Sequence, residues 1–333
     1  MTGHGELNGA SVLITGGLGF IGSNLARRLV GLGARVTLVD SLLPVYGGNR
    51  FNIHDIADRV TVNLSDVRDA DSMAVLVQGC DYLFNLAGQT SHLDSMTDPQ
   101  TDLAINVTAQ LSILEACRIH NPKVRIVFAS TRQLYGKPEY LPVDEKHPIR
   151  PVDVNGINKL AGEWYHLLYN NVYGIGAVAL RLTNTYGPGM RVKDAKQTFL
   201  GVWLRNLVDG KPIQVFGDGR QLRDFNYVDD VVDALLVAAT DTRALGKCYN
   251  LGSKEVVSLE TLAQQMVRLH GSGSYELVPF PQERKAIDIG DYYGDFTMIE
   301  SELGWSPGIG LETGLGRALQ YYSEHAAHYW SRT

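Results

Sequence analysis

The sequence predicts an α/β fold, a doubly wound parallel sheet with a smaller, partly interleaved C-terminal part. Three observations predict it. Short β-branched apolar runs alternate with helix-period stretches through the first half of the 333-residue chain, the pattern of repeated βα units. Glycines at 16, 19 and 22 stand where the first run gives way to the first helical stretch. Beyond Asn184 the alternation breaks into turn-rich segments such as Tyr186-Gly187-Pro188-Gly189 and Gly217-Asp218-Gly219.

Taken in order, Val12-Leu13-Ile14 reads as a buried strand, and Phe20, Ile21, Leu25 and Leu29 mark the helix that follows. Gly16 permits the tight turn between them. Gly19 lets the backbone approach a pyrophosphate at the positive end of the helix, and Gly22 lets the helix pack close to the sheet. A second strand over 35–39 ends at Asp40. A carboxylate there accepts hydrogen bonds from both adenosine ribose hydroxyls and repels a 2′-phosphate. No arginine follows it in Ser41-Leu42-Leu43, so the expected cofactor is NAD rather than NADP.

Further strands are expected over 61–64, 82–86, 124–128, 176–182, 213–216 and 248–251. Helices are expected over 99–119, 156–173, 198–208, 228–239 and 259–269, and the tail from Trp305 to Tyr322 reads as mixed. The two long helices, 99–119 and 156–173, are candidates for a four-helix homodimer interface. Residues 1–183 with about 225–255 form the expected nucleotide-binding part, and about 184–224 with 256–330 the substrate part. Ligands of open parallel sheets bind beyond the strand C-termini, which places the substrate near Gly88, Thr131 and Asn184.

Composition narrows the function. Apolar residues make up 44% and charged residues 20%, as in globular proteins, and the net charge of −6 argues against nucleic-acid and anionic-membrane surfaces. No apolar run approaches a membrane span. Cys80, Cys117 and Cys248 show no metal or redox spacing, and no secretory leader is visible, so a reducing, cytoplasmic setting is expected. His325 and His328 lack a third ligand, and Asp229-Asp230 reads as the acidic start of a helix, so no metal site is expected.

Several ordered motifs together resemble the extended short-chain dehydrogenase/reductase family, in particular its nucleotide-sugar epimerases, dehydratases and decarboxylases. They are the glycine turn, Asp40, Asp66-Val67, Asn85-Leu86-Ala87-Gly88, Ser130-Thr131 with Leu134-Tyr135-Gly136, Lys159, Arg181-Leu182-Thr183-Asn184, and the run from Gly217 to Phe225. The resemblance implies a Rossmann-type fold and a nucleoside-diphosphate-sugar substrate. It implies contact of Asp66 with adenine, of the turn ending at Gly88 with the cofactor, of Asn184 with the sugar nucleotide, and of Arg223 and Arg284 with the diphosphate. It also implies borrowed-hydride chemistry, in which a sugar carbinol, usually at C4, is oxidised by NAD to a ketone and the hydride is often returned.

In that family a tyrosine in Tyr-x-x-x-Lys takes the hydroxyl proton, the lysine holds the nicotinamide ribose, and a serine or threonine bonds the reacting oxygen. Thr131 and Lys159 match, but Asn155 stands in the tyrosine's place. An amide cannot accept a proton at neutral pH. Tyr135, His92 and Lys159 are candidate replacements; a substrate group or a water held by Asn155 is another route, and loss of catalysis with NAD retained as structure a third. After Thr131 come Arg132 and Gln133, where 4,6-dehydratases of the family carry Asp-Glu and uronic-acid decarboxylases a glutamate at the second position. Epimerisation, which needs no such acid, therefore leads. A dehydratase or decarboxylase is the alternative, and a sugar-nucleotide binding protein the non-enzymatic one. Arg132 either binds a substrate carboxylate or faces solvent or the diphosphate.

Overall fold

The computed structural model describes residues 5–194 and 198–331. Strand β1 (Ser11–Thr15) leads through the glycine turn into α1 (Phe20–Gly31), then β2 (Arg35–Val39), β3 (Val60–Asn63), α2 (Ala70–Leu76) and β4 (Tyr82–Asn85). Next come α3 (His92–Thr97), α4 (Pro99–Leu103), a π-helical turn (Ala104–Thr108), α5 (Ala109–His120), β5 (Arg125–Thr131), α6 (Val154–Tyr173) and β6 (Ala177–Leu182). The second half holds β7 (Asn184–Tyr186), α7 (Phe199–Val208), β8 (Ile213–Phe216), β9 (Leu222–Tyr227), α8 (Val228–Thr240) and β10 (Cys248–Asn250). It closes with β11 (Val256–Ser258), α9 (Leu259–His270), β12 (Tyr275–Val278), α10 (Gln282–Lys285), α11 (Thr297–Leu303) and α12 (Leu311–His325).

Seven strands form one parallel sheet in the order β10-β6-β5-β4-β1-β2-β3. The order reverses at β1, so the crevice beyond the C-terminal ends of β1 and β4 is where such a sheet takes a ligand. Both faces of the sheet are covered, which is why its central strands read as unbroken apolar runs rather than alternating ones. One core joins Val12 and Ile14 to α1, α8 and the C-terminal helices through Leu25, Leu235, Leu262 and Leu315. The other joins Leu13 and Leu83 to α2, α5 and α6 through Met73, Ile113 and Tyr169.

The remaining strands form two small sheets, β11-β9-β7 and β12-β8. Strand β9 runs across the boundary expected near 224, so the proposed two-part division passes through a strand of the smaller sheet. The acidic start of α8 is structural. The carboxylate of Asp230 accepts the backbone N–H groups of Gly308 and Ile309, and its carbonyl accepts the Trp305 indole N–H, tying the tail to the core. Helix 99–119 exists as expected but is interrupted by the π turn, and this departure matters for the site. A π turn widens the helix locally and redirects side chains, often at functional positions.

Candidate active site

The glycine turn is built from close backbone approaches. Gly16 has φ +69°, a region side chains rarely adopt, and a Cβ there would lie 3.1 Å from Ala87 N. A Cβ at Gly22 would lie 2.3 Å from Gly16 O, so that glycine is required by the turn folding back on the helix. Helix α1 starts at Gly19 without a capping side chain, which leaves its first N–H groups directed at the cleft for an anion. Thr15 Oγ1 accepts from the N–H groups of Leu86 and Ala87 and donates to Asn85 Oδ1, locking the β4 turn against the β1 turn.

Asp40 sits at the end of β2, where Leu18 N–H and Leu42 N–H donate to its two carboxylate oxygens. Burial pushes its pKa up and those two bonds oppose the shift. Asp66 is gripped by Arg68, whose guanidinium and N–H hold the carboxyl below its usual range despite partial burial. Gly16, Gly19, Phe20, Ile21, Gly22, Asp40, Asp66, Val67, Leu86, Ala87 and Gly88 all line one cleft of about 310 Å³. The uncapped helix start, the space that Cβ atoms would fill and the carboxylate at the tip of β2 fit a dinucleotide.

The same cleft is walled at its other end by His92, Thr131, Arg132, Gln133, Asn155, Lys159 and Asn184. Asn155 is 3% exposed, and its Nδ2 donates to Gln89 O at 2.8 Å and Asp102 Oδ2 at 2.9 Å. Asp102 is fully buried, and its other oxygen accepts from Asn106 Nδ2 at 3.0 Å and Asn158 Nδ2 at 2.8 Å. Three amides thus surround one carboxylate behind the cleft wall. The π turn makes this possible by turning Asn106 toward Asp102 and Gln89 O.

Lys159, one turn beyond Asn155, is buried with its Nζ 4.5 Å from the centroid of the Phe128 ring. It makes no hydrogen bond among the described residues, and a Cβ at Gly88 would lie 3.5 Å from Nζ. Burial pushes the ammonium down to about 8, against the pull of Asp102 and Glu163. Thr131 Oγ1 accepts the Gln133 N–H, and Gln133 Nε2 donates to Asp153 Oδ2 at 2.9 Å. Asp153 caps α6 through Gly156 N–H, and His92 Nδ1 lies 3.0 Å from Asp153 Oδ2. Burial would raise the Asp153 pKa, but His92, Gly156 N–H and Gln133 outweigh it and hold the carboxyl below its ordinary range.

Three expected residues do not reach the cleft wall. Tyr135 is fully buried; its hydroxyl donates to Asn250 Oδ1 at 2.7 Å and accepts from Arg181 Nη1 at 2.6 Å. Burial raises its pKa far above the phenol range, so it has neither the position nor the acidity for proton transfer. Arg223 is spent on the carbonyls of Leu222 and Gly290 and on Gln221 Oε1, and burial followed by repulsion from Arg132 pushes it down to about 10. Arg284 lies over the Phe216 ring at 5.7 Å, against β8. Asn184 does line the cleft, held by Arg132 through Oδ1 and by Asp224 O through Nδ2. Tyr292 is core, packed with Leu134, Tyr135 and Val143. His325 and His328 lie around Phe51, and no metal-binding group of three side chains occurs among the described residues.

Sequence reasoning missed Gln89, Asp102, Asn106, Asp153 and Arg191. Asp102 and Asn106, four apart, and Asn155 and Asn158, three apart, each share a helix face, and a polar pair facing inward on a helix is the signal that was available. Arg191 lines the cleft and donates to Tyr46 O and to Asp194, fastening the loop after β2; nothing in the sequence marks it.

The model of the NAD-dependent epimerase/dehydratase family matches residues 12–252. The UDP-glucose 4-epimerase of Mycolicibacterium smegmatis is 29% identical over 316 residues, covering 93% of this chain and 97% of its own length. Among solved structures, the Thermotoga maritima UDP-glucose 4-epimerase with UDP-glucose superposes with a TM-score of 0.86 at 27% identity, covering 95% of this chain and 99% of that one. The dTDP-glucose 4,6-dehydratase DesIV of Streptomyces venezuelae, solved with NAD bound, gives a TM-score of 0.86 at 26% identity over 95% and 98% of the two chains.

Proposed function

The chain belongs to the NAD-dependent epimerase/dehydratase family, and we propose that its reaction is epimerisation of a nucleoside-diphosphate sugar through a transient keto-sugar, with oxidation at C4. The observation that carries this reading is the lack of a free acid at the reacting end among the described residues. Gln133 is committed to Asp153, and the nearby carboxylates of Asp102, Asp153 and Glu163 are buried and already bonded. Dehydration requires an acid to protonate the departing hydroxyl. Stereochemical inversion at the oxidised carbon does not.

Bound NAD would supply the hydride acceptor, held by Asp40, the Gly16–Gly22 turn and Lys159. In this reading Thr131 bonds the reacting oxygen and Asn184 the sugar nucleotide; both line the cleft. For the proton, the reading assigns His92. Its Nδ1 lies 3.0 Å from Asp153 Oδ2, close enough for that carboxylate to stabilise the charge the ring takes on with the proton. His92→Gln is expected to lower kcat by about 10²–10³ with KM little changed, the scale of losing a general base. A change confined to KM would remove His92 from this role.

The function itself is tested by incubation with UDP-, dTDP-, GDP- and CDP-sugars, uronic acids included, read by NMR and mass spectrometry. A product of unchanged mass and inverted stereochemistry is the expected result. Loss of water or carbon dioxide would assign a dehydratase or decarboxylase, and tight binding without conversion a sugar-nucleotide binding protein.

The same reading includes a homodimer. Ile157, Trp164, Leu168 and Val172 are 53%, 57%, 48% and 61% exposed and share one face of α6. The double variant Trp164→Glu, Leu168→Glu is expected to sediment as a monomer where the parent sediments as a dimer. Three free cysteines fit a reducing, cytosolic location, and no helix among the described residues is long and apolar enough to cross a membrane.

A further inference from the structure

Among the described residues, Arg132 is a cation without an anion. Its Nη2 donates to Asn184 Oδ1 at 3.0 Å, and its guanidinium lies 4.8 Å over the Tyr292 ring. Its Nη1 is buried with no hydrogen-bond partner. No carboxylate of the described residues forms an ion pair with it. The acids facing it are occupied: Asp224 accepts from Thr183 Oγ1 and Gly294 N–H, and Asp288 accepts from Gln221 Nε2. Arg223 adds a second positive charge nearby. Removing a guanidinium from water is costly unless a counter-charge replaces the hydration, so the free protein holds a charge that an incoming anion would relieve.

The place of this charge says which anion. Arg132 follows Thr131 at the end of β5 and shares the cleft wall with Asn155 and Lys159. That is the reacting end, opposite the Asp40 and Asp66 end where an adenosine belongs. The planar fork of an arginine matches a carboxylate. We propose that Arg132 is the receptor for a carboxylate carried by the sugar, which makes the substrate a nucleoside-diphosphate uronic acid or a similar acidic sugar. The inference rests on the nucleotide-sugar reading above and adds the substrate class to it.

Calorimetric titration of the NAD-loaded protein tests it. UDP, dTDP, GDP and CDP first decide which nucleotide binds. Matched sugar pairs on that nucleotide, differing only as CH₂OH against carboxylate (UDP-glucose and UDP-glucuronate for uridine), then give a ratio of affinities. The expected ratio favours the acidic sugar by about tenfold or more, the scale of one charge-assisted contact. In Arg132→Gln the ratio should fall below about twofold, and in Arg132→Lys it should survive in part. Both ligands are measured on the same preparation, so partial misfolding scales both affinities and leaves the ratio intact. A parental ratio near one overturns the proposal. So does a variant that weakens both sugars alike, since that pattern assigns Arg132 to the diphosphate both share. Failure of every nucleotide and sugar to bind overturns the nucleotide-sugar reading itself.

Discussion

Lys159→Met is expected to make the protein more stable at pH 7 while cutting turnover by about a thousandfold. The ammonium is buried, bonded to nothing among the described residues, and pushed down to about 8 by that burial although Asp102 and Glu163 favour the charge. Relative to an ordinary lysine near pH 10.4, such a displacement corresponds to roughly 3 kcal/mol. The sign follows from proton counts. Below about pH 8 both folded and unfolded chains carry the proton, and the folded state bears the full cost of burying the charge. Between about 8 and 10.4 the unfolded chain binds more protons than the folded one, so stability rises with pH and the cost fades. Methionine fills similar volume without charge, and loses the contact with the Phe128 ring and the attraction of the two carboxylates. A net gain of about 1–3 kcal/mol at pH 7 remains. Thermal melts of parent and variant should therefore differ most at pH 7 and converge toward pH 10. Equal melting temperatures at pH 7 would mean that Lys159 is not held as a desolvated cation. The activity loss has a separate origin in the proposed function, where the same Nζ, which faces Gly88, holds the cofactor's ribose. Stability and turnover should move in opposite directions, as at other functional sites that keep an unfavourable charge.

The parts legible in the sequence were those carried by contiguous residues. The turn from Gly16 to Gly22 and the acid at 40 lie on one β-α-β unit, so their spacing alone sets their geometry. Strands 35–39 and 213–216 match the structure residue for residue because apolar runs bounded by turn residues leave little choice of ends. Tyr135 shows where contiguity misleads. It lies two residues after Gln133, yet the 3₁₀ turn over Arg132–Tyr135 carries it away from the cleft and onto Arg181 and Asn250. Arg284 fails for a different reason, since α10 packs beside β8 and that placement depends on how the small sheets stack. The carboxylate with its three amides joins residues 102, 106, 155 and 158 from two helices. It exists only once a π turn has broken the regular 3.6-residue period, and no periodicity argument anticipates that break.

That cluster governs the second large effect. Asn155→Tyr, which writes in the tyrosine that the family resemblance implies at this position, is expected to destabilise the fold rather than supply a catalytic tyrosine. Asn155 Nδ2 serves two acceptors at once, Gln89 O and Asp102 Oδ2, and its backbone N–H donates to Ser95 Oγ at 3.2 Å. A phenol has one hydroxyl hydrogen, carried a ring's length away. Gln89 O would keep Asn106, but Asp102 Oδ2 would lose its only hydrogen-bond donor among the described residues while the carboxylate stays buried. Leaving a buried carboxylate oxygen without its donor costs about 1–3 kcal/mol, and forcing a ring into a site 3% exposed adds roughly 1–3 kcal/mol. Asn155→Ala loses the same donor without overpacking and should cost less. Asn155→Asp sets a second carboxylate against Asp102 and should cost at least as much as the tyrosine, with the loss relieved as acid protonates one of the two. Chemical denaturation of the three variants gives the order Ala, then Tyr and Asp. A tyrosine variant as stable as the parent and faster in turnover would show that the amides do not anchor this wall. If the order holds, the position beside Lys159 has been rebuilt as a structural tie, and proton transfer must be supplied from across the cleft. In the proposed function the group that supplies it is His92 at the start of α3, 3.0 Å from Asp153.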